Sequence, residues 1–223
     1  MNVKKEPIPI DRNEVYRYLG YRGHEADEVT KQLVEVCIQE LLEAAEPKHM
    51  KKEYPCHVSA DGTLDLGCFR TNSMNLKKNL GGCGRVLLMA VTLGLGVDRL
   101  LVKYGKLQVT KAVILQAAAA AMIESYCNRL CEEWNTEYEQ KKLYLRPRYS
   151  PGYGDFSLDF QRIILDELDA GRKLGITLTD GCLMVPTKSV TAVIGVSETK
   201  HSCQIEGCEV CENTACLYRR SNC

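Results

Sequence analysis

Apolar residues recur at three- and four-residue steps through Ala26, Val29, Leu33, Val36, Cys37, Leu41 and Ala44. That is the spacing of one face of a helix, here predicted from about Glu25 to Ala45 and ended by Pro47. Before it, Ile8-Pro9-Ile10 reads as an extended lead-in. Asp11 offers an N-cap with Glu14 three residues on, so a short helix through Val15, Tyr16 and Leu19 stops at Gly20. After Pro47 the period changes. Tyr54 to Cys68 reads as strand, turn and strand, with Asp61-Gly62 as a type I′ hairpin turn. Ser73 caps a short helix that ends at Gly81-Gly82. Arg85 to Leu93 is a continuous apolar run, short for a helix and suited to a buried strand. A short helix, Asp98 to Lys103, follows. Thr110 caps the longest helix, Lys111 to Lys142, whose Ala117–Ala121 run permits close approach of another element. Ser157 caps a helix reaching Ala170, Asp180-Gly181 marks a turn, and the β-branched content of Val190 to Val196 makes a strand.

Composition narrows the class. The 223 residues suffice for one domain with a full core and a small appended module. Lys plus Arg balance Asp plus Glu at 29 each, which gives no footprint for nucleic acid or a membrane surface. No apolar run reaches the length of a bilayer span. Met-Asn-Val-Lys-Lys-Glu-Pro lacks the apolar core of a signal peptide, so the expected location is the cytoplasm. Twelve cysteines are many for such a compartment, but five of them fall in the last 21 residues. The other seven are spread among apolar segments and read as small buried hydrophobes.

Chemistry concentrates in Arg146-Pro-Arg-Tyr-Ser-Pro-Gly-Tyr-Gly-Asp155. Two prolines and two glycines in ten residues exclude a helix or a central strand. Pro147 and Pro151 push Arg146 and Ser150 toward extended backbone, while Gly152 and Gly154 permit positive φ or close approach of a ligand. Two guanidiniums, two phenols, a hydroxyl and a carboxylate surround those points. Two readings stand side by side: a well-made connection between helices, and a small-molecule site, to which the density of binding groups gives at least equal weight.

Arg148-Tyr149-Ser150-Pro151-Gly152-Tyr153 resembles the Arg-x-x-Pro-Gly-Tyr loop of the activation domain of cobalamin-dependent methionine synthase, a domain that binds S-adenosylmethionine. The longer run through Gly154-Asp155, with Leu158 and Gln161, is most similar to free-standing relatives of that domain. Arg17-Tyr18-Leu19-Gly20-Tyr21-Arg22-Gly23, Thr92-Leu93-Gly94 with Val97-Asp98, and Met184-x-Pro186-x-x-Ser189 resemble further family segments, so the likeness spans roughly residues 10–197. It implies an α+β fold: one domain over residues 1–199 with an antiparallel sheet flanked by helices, then a small Cys-rich tail over 200–223. The cofactor-binding residues it implies are Arg148, Ser150, Gly152, Tyr153 and Asp155. Their chemistry agrees. A guanidinium matches the ligand carboxylate bidentately. The Tyr153 face suits a sulfonium or adenine, with cation–π attraction of roughly 0.5–2 kcal/mol. Gly152 lets backbone reach the ligand, Ser150 adds a hydroxyl, and Asp155 takes the amine or caps the following turn. The family also places a glutamate near Glu124, which otherwise reads as a surface position, and sets Ser189 beside the loop.

Cys203-x4-Cys208-x2-Cys211-x4-Cys216 puts four thiolates within 14 residues, enough to converge on one zinc ion or an iron–sulfur cluster. The spacing does not choose between them. Redox thiols, or a tail without function, are the other readings, and His201 reads as an exposed neighbour.

The resemblance implies an accessory subunit in methionine biosynthesis. It would bind S-adenosylmethionine and support reductive remethylation of cob(II)alamin on a separate cobalamin-dependent methionine synthase or other corrinoid protein. A low-potential donor such as flavodoxin or ferredoxin would supply the electron, and a cluster in the tail could relay it. The alternative is an S-adenosylmethionine-responsive scaffold with a structural zinc knuckle and no role in methyl transfer. An ordinary methyltransferase is disfavoured, since no Gly-rich loop follows an N-terminal strand.

Overall fold

A computed structural model describes residues 8–21 and 24–200. In chain order the elements are α1 (Arg12–Tyr18), α2 (Glu28–Ala44), β1 (Lys48–Pro55), β2 (His57–Val58), β3 (Leu64–Asp65), β4 (Arg70–Thr71), α3 (Met74–Asn79) and β5 (Cys83–Thr92). They continue with α4 (Leu95–Leu107), α5 (Val109–Glu139), β6 (Tyr144–Leu145), α6 (Phe160–Glu167), α7 (Ala170–Leu174), β7 (Thr177–Leu178), β8 (Met184–Val185) and β9 (Ser189–Ser197). This is the expected α+β class. No described helix is long and apolar enough to cross a membrane.

The chain forms two compact units. One takes the described residues up to Ala44 together with Arg99–Tyr126; the other takes Ala45–Asp98 and Cys127–Lys200. The first unit is helical. Asp11 caps α1 as expected, its side chain accepting the Asn13 N–H at 2.8 Å, while Glu14 pairs with Arg17. Arg12 meets Glu35 bidentately, two bonds of 2.8 Å tying α1 to α2. The buried face of α2 is Val34, Cys37, Ile38 and Leu41, with Val29 and Val36 exposed. The expected stripe is thus rotated. α2 carries apolar residues around most of its circumference, and spacing alone fits two overlapping stripes. Thr110 lies inside α5 rather than capping it. A single residue, Gln108, separates α4 from α5, and its N–H donates to the Tyr104 carbonyl at 2.9 Å.

The second unit is built on an antiparallel sheet in the order β1-β5-β9-β6. β5 and β9 are its central strands, and their continuous apolar runs follow from burial of both faces. On one face, Val86, Leu88, Ala90 and Val193 join Leu76 of α3 and Leu80 just after it, Ile164 and Leu165 of α6, and Ala170 and Leu174 of α7 in one core. The opposite face includes Leu87, Met89 and Val91, whose β1 partners are Glu53, Lys51 and His49. There the last turns of α5 cross β1. The Lys51 ammonium lies 5.0 Å from the Trp134 ring centroid, and the Tyr138 hydroxyl donates to Glu53. Burial, followed by that bond, pushes the Tyr138 phenol well above its ordinary range.

The expected two-residue hairpin is a three-residue one. Ser59 N–H donates to Thr63 O at 2.8 Å, Gly62 N–H donates to Ser59 O at 2.9 Å, and Gly62 takes φ +83°. This is a three-residue loop closed by a left-handed glycine. Of the seven cysteines outside the tail, four are buried and three half-buried. Burial pushes the Cys37, Cys56 and Cys68 thiols up to about 11, as expected for cysteines used as apolar filler.

Candidate functional site

The Pro/Gly segment begins as the outer edge of the sheet. β6 pairs with Val196 and Ser197 of β9, and the Arg146 N–H donates to Gly195 O at 2.8 Å. The next pair is Tyr149 with Val193, through bonds of 2.9 and 2.8 Å. Two residues, Pro147 and Arg148, therefore face the single Ile194. This is a β-bulge, and it explains how a proline is tolerated there and why the arginine is re-aimed. The two guanidiniums separate in role. Arg146 Nη2 donates to Gly81 O at 2.9 Å and pins the strand to the end of α3. Arg148 Nη2 donates to Asn128 Oδ1 of α5 at 2.8 Å.

Beyond Tyr149 the chain closes a compact loop. The Gly152 N–H donates to Phe156 O at 2.8 Å, Phe156 N–H to Tyr153 O at 3.0 Å, and Tyr153 N–H to Ser150 O at 3.3 Å. Its anchor is Phe156, 1% exposed, whose ring lies 5.1 Å from Phe160 and 6.3 Å from Phe69. These are the chain's three phenylalanines. At the other extreme Tyr153 stands out at 68% exposed, the one aromatic among the large exposed apolar side chains of the described residues. Gly152 takes φ +92°, which a side chain would strain, and a Cβ there would lie 3.3 Å from Leu158 Cδ1. Gly154 is closely packed: a Cβ there would lie 2.3 Å from Asn75 Nδ2 and 2.8 Å from the Tyr149 hydroxyl, so those side chains would have to move.

Asp155 points elsewhere than toward a turn of its own. Its carboxylate accepts from Ser73 Oγ at 2.5 Å, Met74 N at 2.6 Å and Asn75 N at 3.2 Å, at the first turn of α3. The Ser73 bond, aided by the two backbone donors, holds this carboxyl below the usual carboxylate range. Next to Asp155 lies an open concavity of about 460 Å³, lined by Arg70 to Ser73, Asp155, Ser157 and Phe160.

The two further signature segments meet as a structural clasp. Thr92 Oγ1 and Ser189 Oγ are 2.8 Å apart, the Leu93 N–H donates to Lys188 O at 2.9 Å, and the Asp98 carboxylate accepts the Thr187 N–H and hydroxyl at 2.8 and 2.7 Å. The Ser189 hydroxyl also lies 2.7 Å from Pro186 O, after the cis Val185–Pro186 peptide. It serves the strand lead-in rather than the loop. Gln161 is likewise structural, buried and donating to Cys182 O at 2.7 Å. Glu124 is an exposed position of α5. Sequence reasoning found Ser73 only as a cap and missed Asn75 and Asn128. Nothing local marks those asparagines; their roles come from contacts far along the chain.

Cys203, Cys208, Cys211, Cys216 and His201 lie outside the described residues. Among the described residues no group of His, Cys, Asp or Glu is arranged to hold a metal ion.

Residues 76–210 match the family model described as vitamin B12-dependent methionine synthase, activation domain. Among solved structures, a crystal structure of the MetH reactivation domain bound to AdoHcy matches with a TM-score of 0.63 at 16% identity, over 86% of this chain and 75% of that one. No curated protein matches this chain.

Proposed function

The chain belongs to the vitamin B12-dependent methionine synthase activation-domain family, and from that premise we propose that it binds S-adenosylmethionine at the Arg148–Tyr153 loop and supports reductive remethylation of cob(II)alamin on a separate cobalamin-dependent methionine synthase or related corrinoid protein. The observation that carries the reading is this loop inside the matched segment, held by β9 at one end and by a buried Phe156 at the other.

The loop fits the ligand. The Arg148 guanidinium, steadied by Asn128, is the carboxylate partner. The outward ring of Tyr153 is the face for a sulfonium or adenine, both of which gain by covering an exposed aromatic. Gly152 admits the ligand to the backbone, and Ser150 contributes its hydroxyl. When bound, S-adenosylmethionine supplies an electrophilic methyl group to the partner's reduced cobalt. The chain's contribution is placement: a rigid loop holds the methyl in line with an acceptor on another protein. A low-potential protein such as flavodoxin or ferredoxin is the electron source in this reading. The four tail cysteines hold the zinc or iron–sulfur cluster.

The test uses S-adenosylmethionine carrying an isotopic label in its methyl group. It is mixed with a reductant, this chain, and a methionine synthase that has no activation domain and carries cob(II)alamin. The reading predicts label on the partner's corrinoid only when this chain is present, and none with Arg148→Ala. Binding of the ligand without transfer of label would favour a responsive scaffold instead.

A further inference from the structure

We infer that Asp155 is a positioning residue: its carboxylate latches the ligand loop onto α3 and so fixes Gly152 and Tyr153 in place. The inference rests on the S-adenosylmethionine reading and redirects Asp155 from contact with the ligand amine. An ionised carboxylate offers about four acceptor directions. Three of Asp155's are taken by one array of donors, Ser73 Oγ, Met74 N and Asn75 N, at 2.5, 2.6 and 3.2 Å. These are charge-assisted bonds to the end of a helix where negative charge is favoured. Ser73 is itself fixed. It is 4% exposed, and its Oγ accepts the Leu76 N–H at 3.1 Å while donating to Asp155.

The seating of Gly154 supports this independently. The space a side chain would need there is filled by Asn75 Nδ2 and the Tyr149 hydroxyl. The loop is thus pressed against the same turn of α3 that the carboxylate grips. Tyr149 is hydrogen-bonded to β9 on one side of Tyr153, and Asp155 to α3 on the other. The backbone that carries the exposed Tyr153 ring is thus held on both sides, which lowers the ordering cost of binding.

Two measurements on the full chain decide the matter. The first is amide hydrogen exchange at Gly152, Tyr153 and Phe156 without ligand, in the wild type, Asp155→Ala and Asp155→Asn. A latch predicts faster exchange in Asp155→Ala, with partial recovery in Asp155→Asn, which keeps one acceptor oxygen, while the amides of β5 and β9 are unchanged. Unchanged loop exchange overturns it. The second is calorimetric titration with S-adenosylhomocysteine and with its deamino analogue, identical but for the missing α-amine. A latch predicts that Asp155→Ala weakens both ligands by the same factor, about tenfold. A loss confined to the ligand that carries the amine shows direct contact and overturns the inference. If the wild type binds neither ligand, alone or with a corrinoid partner added, the functional reading falls, and the exchange comparison still decides the latch. A cooperative thermal melt in both variants shows that Asp155, an exposed residue, is not needed for folding itself.

Discussion

At the scale of residues, the loop is a set of side chains with divided labour. Arg146 and Arg148 are the same residue type two positions apart, yet the bulge sends one to the Gly81 carbonyl and the other to Asn128. Gly154 is closely packed. An alanine there would hold φ near +53° and push its Cβ into Asn75 and Tyr149. We expect Gly154→Ala to destabilise the fold by about 1–3 kcal/mol and to weaken ligand binding with it, as read by guanidinium unfolding alongside calorimetry. Ser73 was legible as a cap because its spacing to Leu76 is local. Asp155 was not legible as its companion, because the two are 82 residues apart and nothing in either neighbourhood names the other.

At the scale of elements, legibility followed burial. β5 and β9 announce themselves as apolar runs because neither face meets water. β1 reads Lys-His-Met-Lys-Lys-Glu-Tyr-Pro, an edge strand whose lysines keep it from pairing further, and its polarity hid it. α2 was found, but its face was misjudged: Val34 and Ile38 are inside while Val29 and Val36 face out. Within the helical unit, α2 and α5 are joined by Lys111, whose ammonium donates to Glu40 at 2.7 Å. That bond, then one from the Tyr104 hydroxyl, holds the Glu40 carboxyl below its usual range. A carboxyl depressed in the folded state stabilises it above the unfolded pKa of about 4.3, and that stability is lost as pH falls through the lower folded value. Urea midpoints of the wild type should therefore drop more steeply below about pH 4 than those of Glu40→Gln. Parallel acid limbs in the two proteins would remove this account of the pair.

At the scale of the whole molecule, the loop and the Cys-rich tail were both visible in the sequence, one through a family motif and the other through spacing alone. The fold and the family follow from the match over residues 76–210 and from the MetH reactivation domain structure. The metal site proposed for the tail consists of Cys203, Cys208, Cys211 and Cys216. If they form one centre, replacing Cys208 and Cys211 by serine should remove the bound iron or zinc measured by elemental analysis and leave affinity for S-adenosylmethionine unchanged. A metal content that survives both substitutions would contradict that assignment. Whatever the tail carries, the account depends first on the loop. The most direct measurement is calorimetric titration of the chain with S-adenosylmethionine, wild type beside Arg148→Ala. The account predicts micromolar-range binding by the wild type and none by the variant at equal thermal stability. A folded wild type that takes up no ligand, alone or with the proposed corrinoid partner added, would contradict it.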